Sequence, residues 1–507
     1  MEMTRALGYN SAMTHTTPAP AAPRPQPAGD GFAGGRLESL ALAALTLARI
    51  RLDTLAEAAV LPLRQNDVAR HPWLGSLLPP EAMALLAQQQ MIDPIGLLLI
   101  VAALACLLAY LLASEFMRPG RGRHAARLAL IWAIILLTVF ASSLKLTLLR
   151  QQSGPASYSH DGGVIQTEAT IDYLLAGRNP YVEDYTQTPM AEWGIDEFRT
   201  ALYHYPYLPW TFLFSAPFKL ASEAWLGWYD QRFVYLLLFA LTLILATGLT
   251  VSAPRQRLLL MLLGLNPLLG SDLIFGQNDS FVLAWIVISL FLWRQGLRRP
   301  AGRTPWQVGA AVAFGLACAS KPTAWFLAPF YFMLLAGGDP RDLWRRPAAW
   351  AGRALRAGWP ALATALAIIG PYFVWQPAAM IDDVWRWSAG TSDTAYQIWG
   401  WGASNLLLAA GWVSDRFAYW PFWAPELAVG GVLLAALLKK QAGANTPARV
   451  LWGYGLWLLA FFFVSRFLNE NYLSFILAIL TLGALADDGM SPPATEVTAA
   501  TATALAD

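Results

Sequence analysis

Residues 94–114 read PIGLLLIVAALACLLAYLLAS, a run that contains no charged side chain. Because a helix needs about 20 mainly apolar residues to cross a bilayer, this run predicts a transmembrane helix. Similar runs recur along the chain, and the predicted spans are 94–114, 128–149, 231–251, 256–274, 279–293, 306–320, 322–336, 358–376, 421–438, 450–466 and 470–486. We therefore expect an all-α fold, a polytopic transmembrane helical bundle of about 10–12 spans.

The composition also favours a membrane protein. Of the 507 residues, 56% are hydrophobic and 13% are charged, whereas a soluble globular domain carries about 25% charge. The net charge of +2 is too small to suggest nucleic acid as a partner. Cys106 and Cys318 each lie inside an apolar run, so we interpret them as packing residues rather than as a disulfide or a metal pair.

The two ends of the chain differ from its middle. Residues 1–36 are rich in Ala and Pro, lack hydrophobic periodicity, and predict a disordered tail. Residues 487–507 predict a second disordered tail. The predicted transmembrane domain occupies residues 94–486.

Three segments leave the number of crossings open. The segment 37–93 predicts an interfacial or marginally inserted helical region. Its first part, 37–64, has a helical pattern but contains four charged residues, Arg49, Arg51, Asp53 and Glu57. The runs 207–220 and 402–413 are apolar but brief, so they fit either half-helices or full crossings.

Positive charge in the loops predicts the orientation of the bundle. Five loops are basic, and we place them on the cytoplasmic side: 118–127, 255–257, 294–303, 341–356 and 439–449. The remaining connections then face outward, and the first of them, 150–206, is too long for a simple connector. We expect a multi-pass protein of the plasma (inner) membrane with a large first extracytoplasmic loop.

The outward connections hold most of the unusual polar residues. These are Asp161, Glu168, Asp172, His204, Asp272, Asn278, Asp279, Lys321, Asp382, Asp383, Arg466, Asn469 and Glu470. Because polar and ionisable groups at membrane depth are costly, they usually line a cavity or a pathway. Their placement on one side predicts a single site built from several loops.

In the first loop, the residues HDGG at 160–163 precede a helical stretch over 164–176. Glu168 and Asp172 are four residues apart and share a face of that helix. Asp161 stands before the helix, where the first amides favour a carboxylate. From the residues alone, Asp161 is either a helix cap or a functional group.

Three later motifs have both a structural and a functional interpretation. GQND at 276–279 is either a plain turn or a pair of amides suited to sugar hydroxyls. Lys321 either snorkels to water or neutralises a lipid-linked phosphate. Near the C-terminus, RFLNENY at 466–472 places Arg, Glu and two Asn in one short turn. Neither Lys321 nor Arg466 has an acidic neighbour in the sequence, apart from Glu470 after Arg466.

Together these motifs resemble a known enzyme family. DGG at 161–163, AGRNPY at 176–181, YPYLP at 205–209, GQND at 276–279 and KP at 321–322 follow the order found in GT-C membrane glycosyltransferases. The pattern is most similar to the family 87 mannosyltransferases that use polyprenyl-phosphate sugars, with Tyr207 where that pattern has Pro. The resemblance covers roughly residues 128–486.

The resemblance implies a GT-C-like catalytic domain, a polyprenyl-phosphate sugar donor, and an Asp of the first outward loop as catalytic base. Asp161 matches that position, with Glu168 in reserve. The leaving phosphate then needs positive charge, for which we predict Lys321 and Arg466. The sugar or acceptor contacts that we expect are Asp172, His204, Gln277, Asn278, Asp279, Asn469 and Glu470. Trp385, Trp387 and Trp399 are the predicted stacking surfaces for the sugar.

The predicted reaction is an inverting transfer of mannose, or of another hexose or pentose, to a lipid or glycan acceptor, with membrane lipids as surroundings. We predict no cofactor and no metal, because no His/Cys cluster or dense carboxylate cage is present in the sequence. Two alternatives stay open. A lipid-linked sugar transporter or flippase should distribute polar groups on both sides of the midplane. A glycan polymerase or ligase with a diphosphate-linked donor should show more Arg in the outward loops.

Overall fold

The computed structural model describes residues 35–60, 64–89, 93–192, 196–250, 252–298 and 303–486. Most of both predicted tails, 1–34 and 487–507, lies outside these residues. The described chain is almost entirely helical, which confirms the expected all-α class. The two strands, β1 (Trp399–Gly400) and β2 (Phe467–Leu468), are a short parallel pair between two loops.

The helices of the first half are α1 (Arg36–Val60), α2 (Arg64–Arg70), α3 (Pro80–Gln89), α4 (Pro94–Phe116), α5 (Arg121–Ile135), α6 (Ser142–Ser153), α7 (Gln166–Leu175), α8 (Trp210–Leu226), α9 (Arg232–Thr247), α10 (Ala253–Gly264) and α11 (Pro267–Phe275). Those of the second half are α12 (Asp279–Arg298), α13 (Arg303–Cys318), α14 (Ala328–Ala336), α15 (Asp342–Arg345), α16 (Pro347–Trp375), α17 (Pro377–Ile381), α18 (Trp387–Ala389), α19 (Ser404–Ala409), α20 (Trp423–Gly443), α21 (Pro447–Val464) and α22 (Glu470–Leu485). Short π-helical turns cover Leu136–Ala141, Asp161–Ile165 and Asp382–Arg386, and 3-10 turns cover Gly75–Leu77, Pro189–Glu192, Asp196–Tyr203 and Pro322–Leu327.

Several of these helices are long and apolar enough to cross a membrane. They are α4, the continuous helix Arg121–Ser153, α12, α16 and α21. Helices α10 and α11 pass the same test together, although they meet at a 50° bend. The bend lies at Asn266, whose side chain accepts hydrogen bonds from the first amides of α11, with Pro267 at the first helical position. Of the other predicted spans, 421–438 falls on α20, which has 21 residues but does not pass this test, and the rest fall on shorter helices, such as α9 with 16 residues.

The first helix, α1, is part of the bundle. Leu42 lies in the main apolar core, and α1 packs against α4, α10 and α11. Glu38 is fully buried, forms an ion pair with Arg127 at 2.8 Å and accepts a hydrogen bond from Arg257 at 2.6 Å. Arg49 donates to the carbonyl of Pro267 and to the Ser271 hydroxyl. Two of the charges of this segment, which was predicted to be interfacial, are therefore satisfied by side chains and carbonyls inside the protein.

The two brief apolar runs do not form long helices. The run 207–220 becomes α8, whose residue Lys219 pairs with Asp172 of the first loop. Just after α8, Asp230 returns to the same loop and pairs with Arg150 at 2.9 Å. The run 402–413 contains α19, whose six residues are too few to cross a bilayer on their own.

Four charged residues hold the first loop against the bundle; we call Arg150, Glu168, Asp230 and Arg232 the ion network. Glu168 is partly buried, and the other three are buried. Arg150 donates to both oxygens of Glu168, at 2.9 and 2.7 Å. Arg232 pairs with Asp230 at 2.7 Å. The two cations and two anions balance, as buried charges need to. A second apolar core, rich in tyrosine, lies under the same loop and includes Tyr181, Tyr185, Tyr205, Phe212 and Tyr372.

We expect Glu38→Gln to lower the apparent Tm of the purified protein, because the buried guanidinium groups of Arg127 and Arg257 lose their carboxylate. Removing one partner of a buried ion pair typically costs about 3–5 kcal/mol. The measurement is thermal unfolding in detergent, followed by size-exclusion chromatography. Glu115→Gln is the matched control, since Glu115 pairs with Arg36 on the surface, where a pair contributes about 0–1 kcal/mol. Equal Tm losses in the two variants would contradict this role for Glu38.

Candidate functional site

A cavity of about 920 Å³ brings together loops that are far apart in the sequence. Its wall includes five of the predicted site residues, Gln277, Lys321, Arg466, Asn469 and Glu470. The three predicted stacking residues, Trp385, Trp387 and Trp399, line it as well. The sequence predicted a single site built from several loops, and the residues that line this cavity come from several of those loops.

Two glycines hold the first loop at the cavity wall. The amide of His160 donates to the carbonyl of Phe275 at 2.7 Å, which aligns the loop with the turn after α11. Gly276 ends that helix with a left-handed backbone, φ +89°. A Cβ atom on Gly163 would lie 1.9 Å from the Gly276 carbonyl oxygen. Only a residue without a side chain fits there, so the GG of the first motif and the G of GQND pack against each other.

Asp161 begins the π-helical turn that follows this contact. Its neighbours His160 and Gly162 both line the cavity. The side chain of Asp161 lies outside the part of the chain that the structure describes. Its role as catalytic base therefore stays a prediction, supported by the position of its backbone.

Lys321 is held in place by an acidic partner. Its ammonium donates to Asp279 at 2.7 Å and to Asn278 at 3.2 Å, and the ring of Tyr472 lies 4.8 Å away. Lys321 has no acidic neighbour in the sequence, and the fold supplies one from another loop, Asp279 at the start of α12. An ammonium has three N–H donors, and these two bonds use two of them. One donor is left for a group inside the cavity.

Arg466 is a brace for the loop that covers the cavity. It is almost fully buried, and its guanidinium donates to four backbone carbonyls, those of Tyr396, Arg416, Phe417 and Ala418, at 2.6 to 3.2 Å. Burial lowers the pKa of Arg466 to about 10, so it stays charged at neutral pH. Its donors are committed to the chain, which leaves it less free to bind phosphate than predicted. Glu470 lies at the cavity wall and is exposed.

Two of the predicted site residues lie away from the cavity. Glu168 belongs to the ion network and also accepts the amide of Gln231 at 2.8 Å. Asp172 is 61% exposed and pairs with Lys219. Neither lines the cavity, and the carboxylate of Glu168 is already fully engaged. Their placement gives no support to Glu168 as reserve base or to Asp172 as a sugar contact.

His204 lies one layer behind the cavity wall. Its Nδ1 contacts Asp383 Oδ1 at 2.9 Å, its Nε2 contacts the Thr394 hydroxyl at 2.6 Å, and its ring stacks on Trp387. Burial raises the pKa of Asp383 to about 6. The ligand atoms of His204, Asp382 and Asp383 lie within 4.8 Å of one another, close enough to hold a metal ion. His204 forms a hydrogen bond with Asp383 and lies 3.6 Å from Asp382, and these contacts tie the first loop to the segment after α17.

The amide residues divide between the cavity and its supports. Asn469 lines the cavity, donates to the Tyr396 hydroxyl at 3.1 Å, and has a buried carbonyl oxygen without a hydrogen-bond partner. Gln277 also lines it. Asn278 and Asp279 instead support Lys321 from behind the wall.

The sequence reasoning missed several residues of this site. Asp272 was placed on the outward side but not assigned a role, and it lines the cavity at 8% exposure. Thr323, two residues after Lys321, presents a buried hydroxyl that has no hydrogen-bond partner and also lines the cavity. Ser474 donates to Asp272, and Asn471 donates to Asp279. Only the proximity of Thr323 to Lys321 was visible in the sequence.

The fold and the cavity define a helical protein with several membrane-length helices and a partly polar, aromatic-walled cavity. No family model matches the chain, and no curated protein or solved structure shows a significant match to it. The function of the chain is therefore inferred from its motifs and from the geometry of its cavity.

We expect Arg466→Lys to loosen the loop that the guanidinium holds, because an ammonium cannot reach all four carbonyls. Each lost charge-assisted hydrogen bond costs about 1.5–3 kcal/mol, so trypsin cleavage after Arg416 should be at least about tenfold faster. Limited proteolysis with mass spectrometry measures this. Arg386→Lys is the control, since Arg386 is 54% exposed. An unchanged cleavage rate in Arg466→Lys would show that the loop does not depend on the brace.

Proposed function

We propose that this protein is a GT-C-like membrane glycosyltransferase that moves a sugar from a polyprenyl-phosphate donor to a lipid or glycan acceptor on the extracytoplasmic face. The sugar is mannose or another hexose or pentose. The observation that carries the proposal is the meeting of four separate motifs, from the first loop, GQND, Lys321 and the turn at Arg466, around one cavity.

The proposed orientation places the cavity away from the basic loops. At the start of α1, Glu38 pairs with Arg127 and Arg257, which belong to two of those loops. Further along the same helix, Leu52 lines the cavity. A helix that connects basic loops at one end with the cavity at the other supports a multi-pass bundle whose site faces outward.

Lys321 and Thr323 are the proposed binding site for the donor phosphate. Lys321, which has one N–H left, and Thr323, whose buried hydroxyl has no hydrogen-bond partner, both line the cavity. A buried hydroxyl without a partner costs free energy unless a ligand or a water bonds to it, and a phosphate oxygen would satisfy it. Arg466 contributes positive charge and braces the loop that covers the cavity.

The rest of the cavity suits the other parts of the donor. Phe326, Phe461 and Phe462 form an apolar wall for the polyprenyl chain. Trp385 and Trp399 offer faces for the sugar ring, next to the polar groups of Gln277, Asn469 and Glu470.

In the proposed reaction, the acceptor oxygen attacks the anomeric carbon, and the bond from that carbon to the phosphate oxygen breaks. The bonding pair leaves with the polyprenyl phosphate, which gains one negative charge close to Lys321. The proton of the acceptor goes to a carboxylate of the cavity. Asp272, Glu426 and Glu470 line the cavity, and Asp272 is the buried one of the three. The family resemblance points instead to Asp161. A single displacement inverts the configuration of the sugar.

The direct test is to incubate the purified protein with radiolabelled polyprenyl-phosphate sugars and a membrane lipid extract. We expect labelled sugar to move to a new product on chromatography, with release of the polyprenyl phosphate. Lys321→Ala should weaken donor binding about ten- to hundredfold, because it removes a charge-assisted contact to the phosphate.

Lys219→Ala is the matched control for that variant, since its ammonium pairs with Asp172 outside the cavity. Equal donor affinity in both lysine variants would contradict the proposal that Lys321 binds the donor phosphate. Absence of transfer with every donor would overturn the enzyme proposal. Movement of intact donor across vesicles without transfer would favour a flippase.

The orientation has its own test. In a background with Cys106 and Cys318 replaced by Ala, we expect Val182→Cys, in the first loop, to react with a membrane-impermeant maleimide in intact cells. Trp344→Cys, in a basic loop, should react only after lysis. Both native side chains are at least half exposed, so access to the reagent depends on the side of the membrane. The reverse labelling pattern would overturn the proposed orientation.

A further inference from the structure

Asp272 has surroundings unlike those of other buried carboxylates in the described chain. It lies near the end of α11, is 8% exposed and faces the cavity. Asp279, Asp230 and Glu38 each pair with Lys or Arg, whereas within the described ranges no Lys, Arg or His forms an ion pair with Asp272. The side chain of Asp272 accepts one hydrogen bond, from the Ser474 hydroxyl. A buried carboxylate without a cation is costly and needs a reason to be there.

Ser474 can stabilise Asp272 in both of its protonation states. The hydroxyl contacts Asp272 and also lies 2.7 Å from the backbone carbonyl of Asn471. It carries a single proton. When Asp272 is ionised, the hydroxyl donates to the carboxylate. When Asp272 is protonated, the carboxyl group donates to the hydroxyl oxygen, and the hydroxyl turns to donate to Asn471. A group that takes up and releases protons needs such a neighbour.

The first turn of α22 also connects Asp272 with the proposed phosphate site. The Asn471 side chain donates to Asp279 Oδ2, and the other oxygen of Asp279 holds Lys321 at 2.7 Å. The start of α22, from Asn471 to Ser474, thus holds both Asp272, which would receive the proton, and the Asp279 partner of Lys321, which would stabilise the phosphate charge. Such fixed placement of reacting groups is what a one-step displacement requires.

We infer that Asp272 is the catalytic base that takes the proton of the acceptor hydroxyl, an inference that rests on the proposed glycosyl transfer. As the acceptor oxygen bonds to the anomeric carbon, its O–H bond breaks and the proton moves to a carboxylate oxygen of Asp272. The electron pair of the broken glycosidic bond leaves with the phosphate beside Lys321. The family resemblance gives this role to Asp161, so the two residues are direct competitors in a test.

The test compares Asp272→Asn with Asp161→Asn and with Asp172→Asn, a control outside the cavity. We expect Asp272→Asn to lower kcat about 100- to 10,000-fold, with donor affinity within about twofold of the unsubstituted protein. Retained donor affinity shows that the variant is folded. Wild-type kcat in Asp272→Asn, with transfer lost in Asp161→Asn, would overturn the inference and leave the glycosyltransferase proposal intact. Absence of transfer by the unsubstituted protein would overturn both.

Variants of Ser474 distinguish a catalytic role of Asp272 from a purely structural one. In Ser474→Ala the ionised carboxylate loses its hydrogen bond, so we expect the acid limb of the kcat–pH profile to move to higher pH. Ser474→Thr keeps a hydroxyl and should restore the original limb. A lower Tm in Ser474→Ala with an unchanged profile would mean that Asp272 only supports the fold.

Discussion

The backbone contact between Gly163 and Gly276 is the constraint on which the site depends. The two turns approach so closely that a single Cβ atom has no room between them. Arg232 reinforces the contact by donating to the carbonyls of Tyr158 and Ile274, one on each side of it. Because the turn after α11 leads directly into Asp279, the same contact fixes the first loop relative to Lys321. The cavity is the space that this fixed arrangement leaves.

Most buried charged side chains in the described chain have a partner of opposite charge. Asp272 is an exception, and the contrast makes it a candidate functional residue. The ion network has two cations and two anions, and Glu38 has two arginine partners. Such clusters stabilise only as complete sets, because a missing partner leaves a desolvated charge. Asp272 differs from these carboxylates because it lines the cavity without an ion pair to any Lys, Arg or His that the structure describes. A buried carboxylate without an ion-pair partner lowers the stability of the fold, and residues of this kind are commonly functional.

Local patterns predicted much of the fold, and long-range pairs explain what they missed. The uncharged run 94–114 predicted α4 because apolar content and length are local properties. The packing of α1 inside the bundle involves a hydrogen bond between Glu38 and Arg257, which are 219 residues apart. The partner of Lys321 is 42 residues away, in a turn whose sequence gave no sign of pairing. Polar residues could be assigned to one side of the bundle, but which of them share hydrogen bonds depends on packing.

The buried charges of α1 have a consequence for how the chain is made. Ribosomes deliver helices to the membrane in order, and a helix with Glu38 and Arg49 is a poor substrate for immediate insertion. Two of its partners, Tyr110 and Arg127, belong to α4 and α5. The others, Arg257, Pro267 and Ser271, belong to α10 and α11 and are synthesised after α9. Helix α1 can therefore complete its contacts only after α10 and α11 have been synthesised. The part of the cavity wall that Leu52 of α1 forms is then completed only after α10 and α11 have been synthesised.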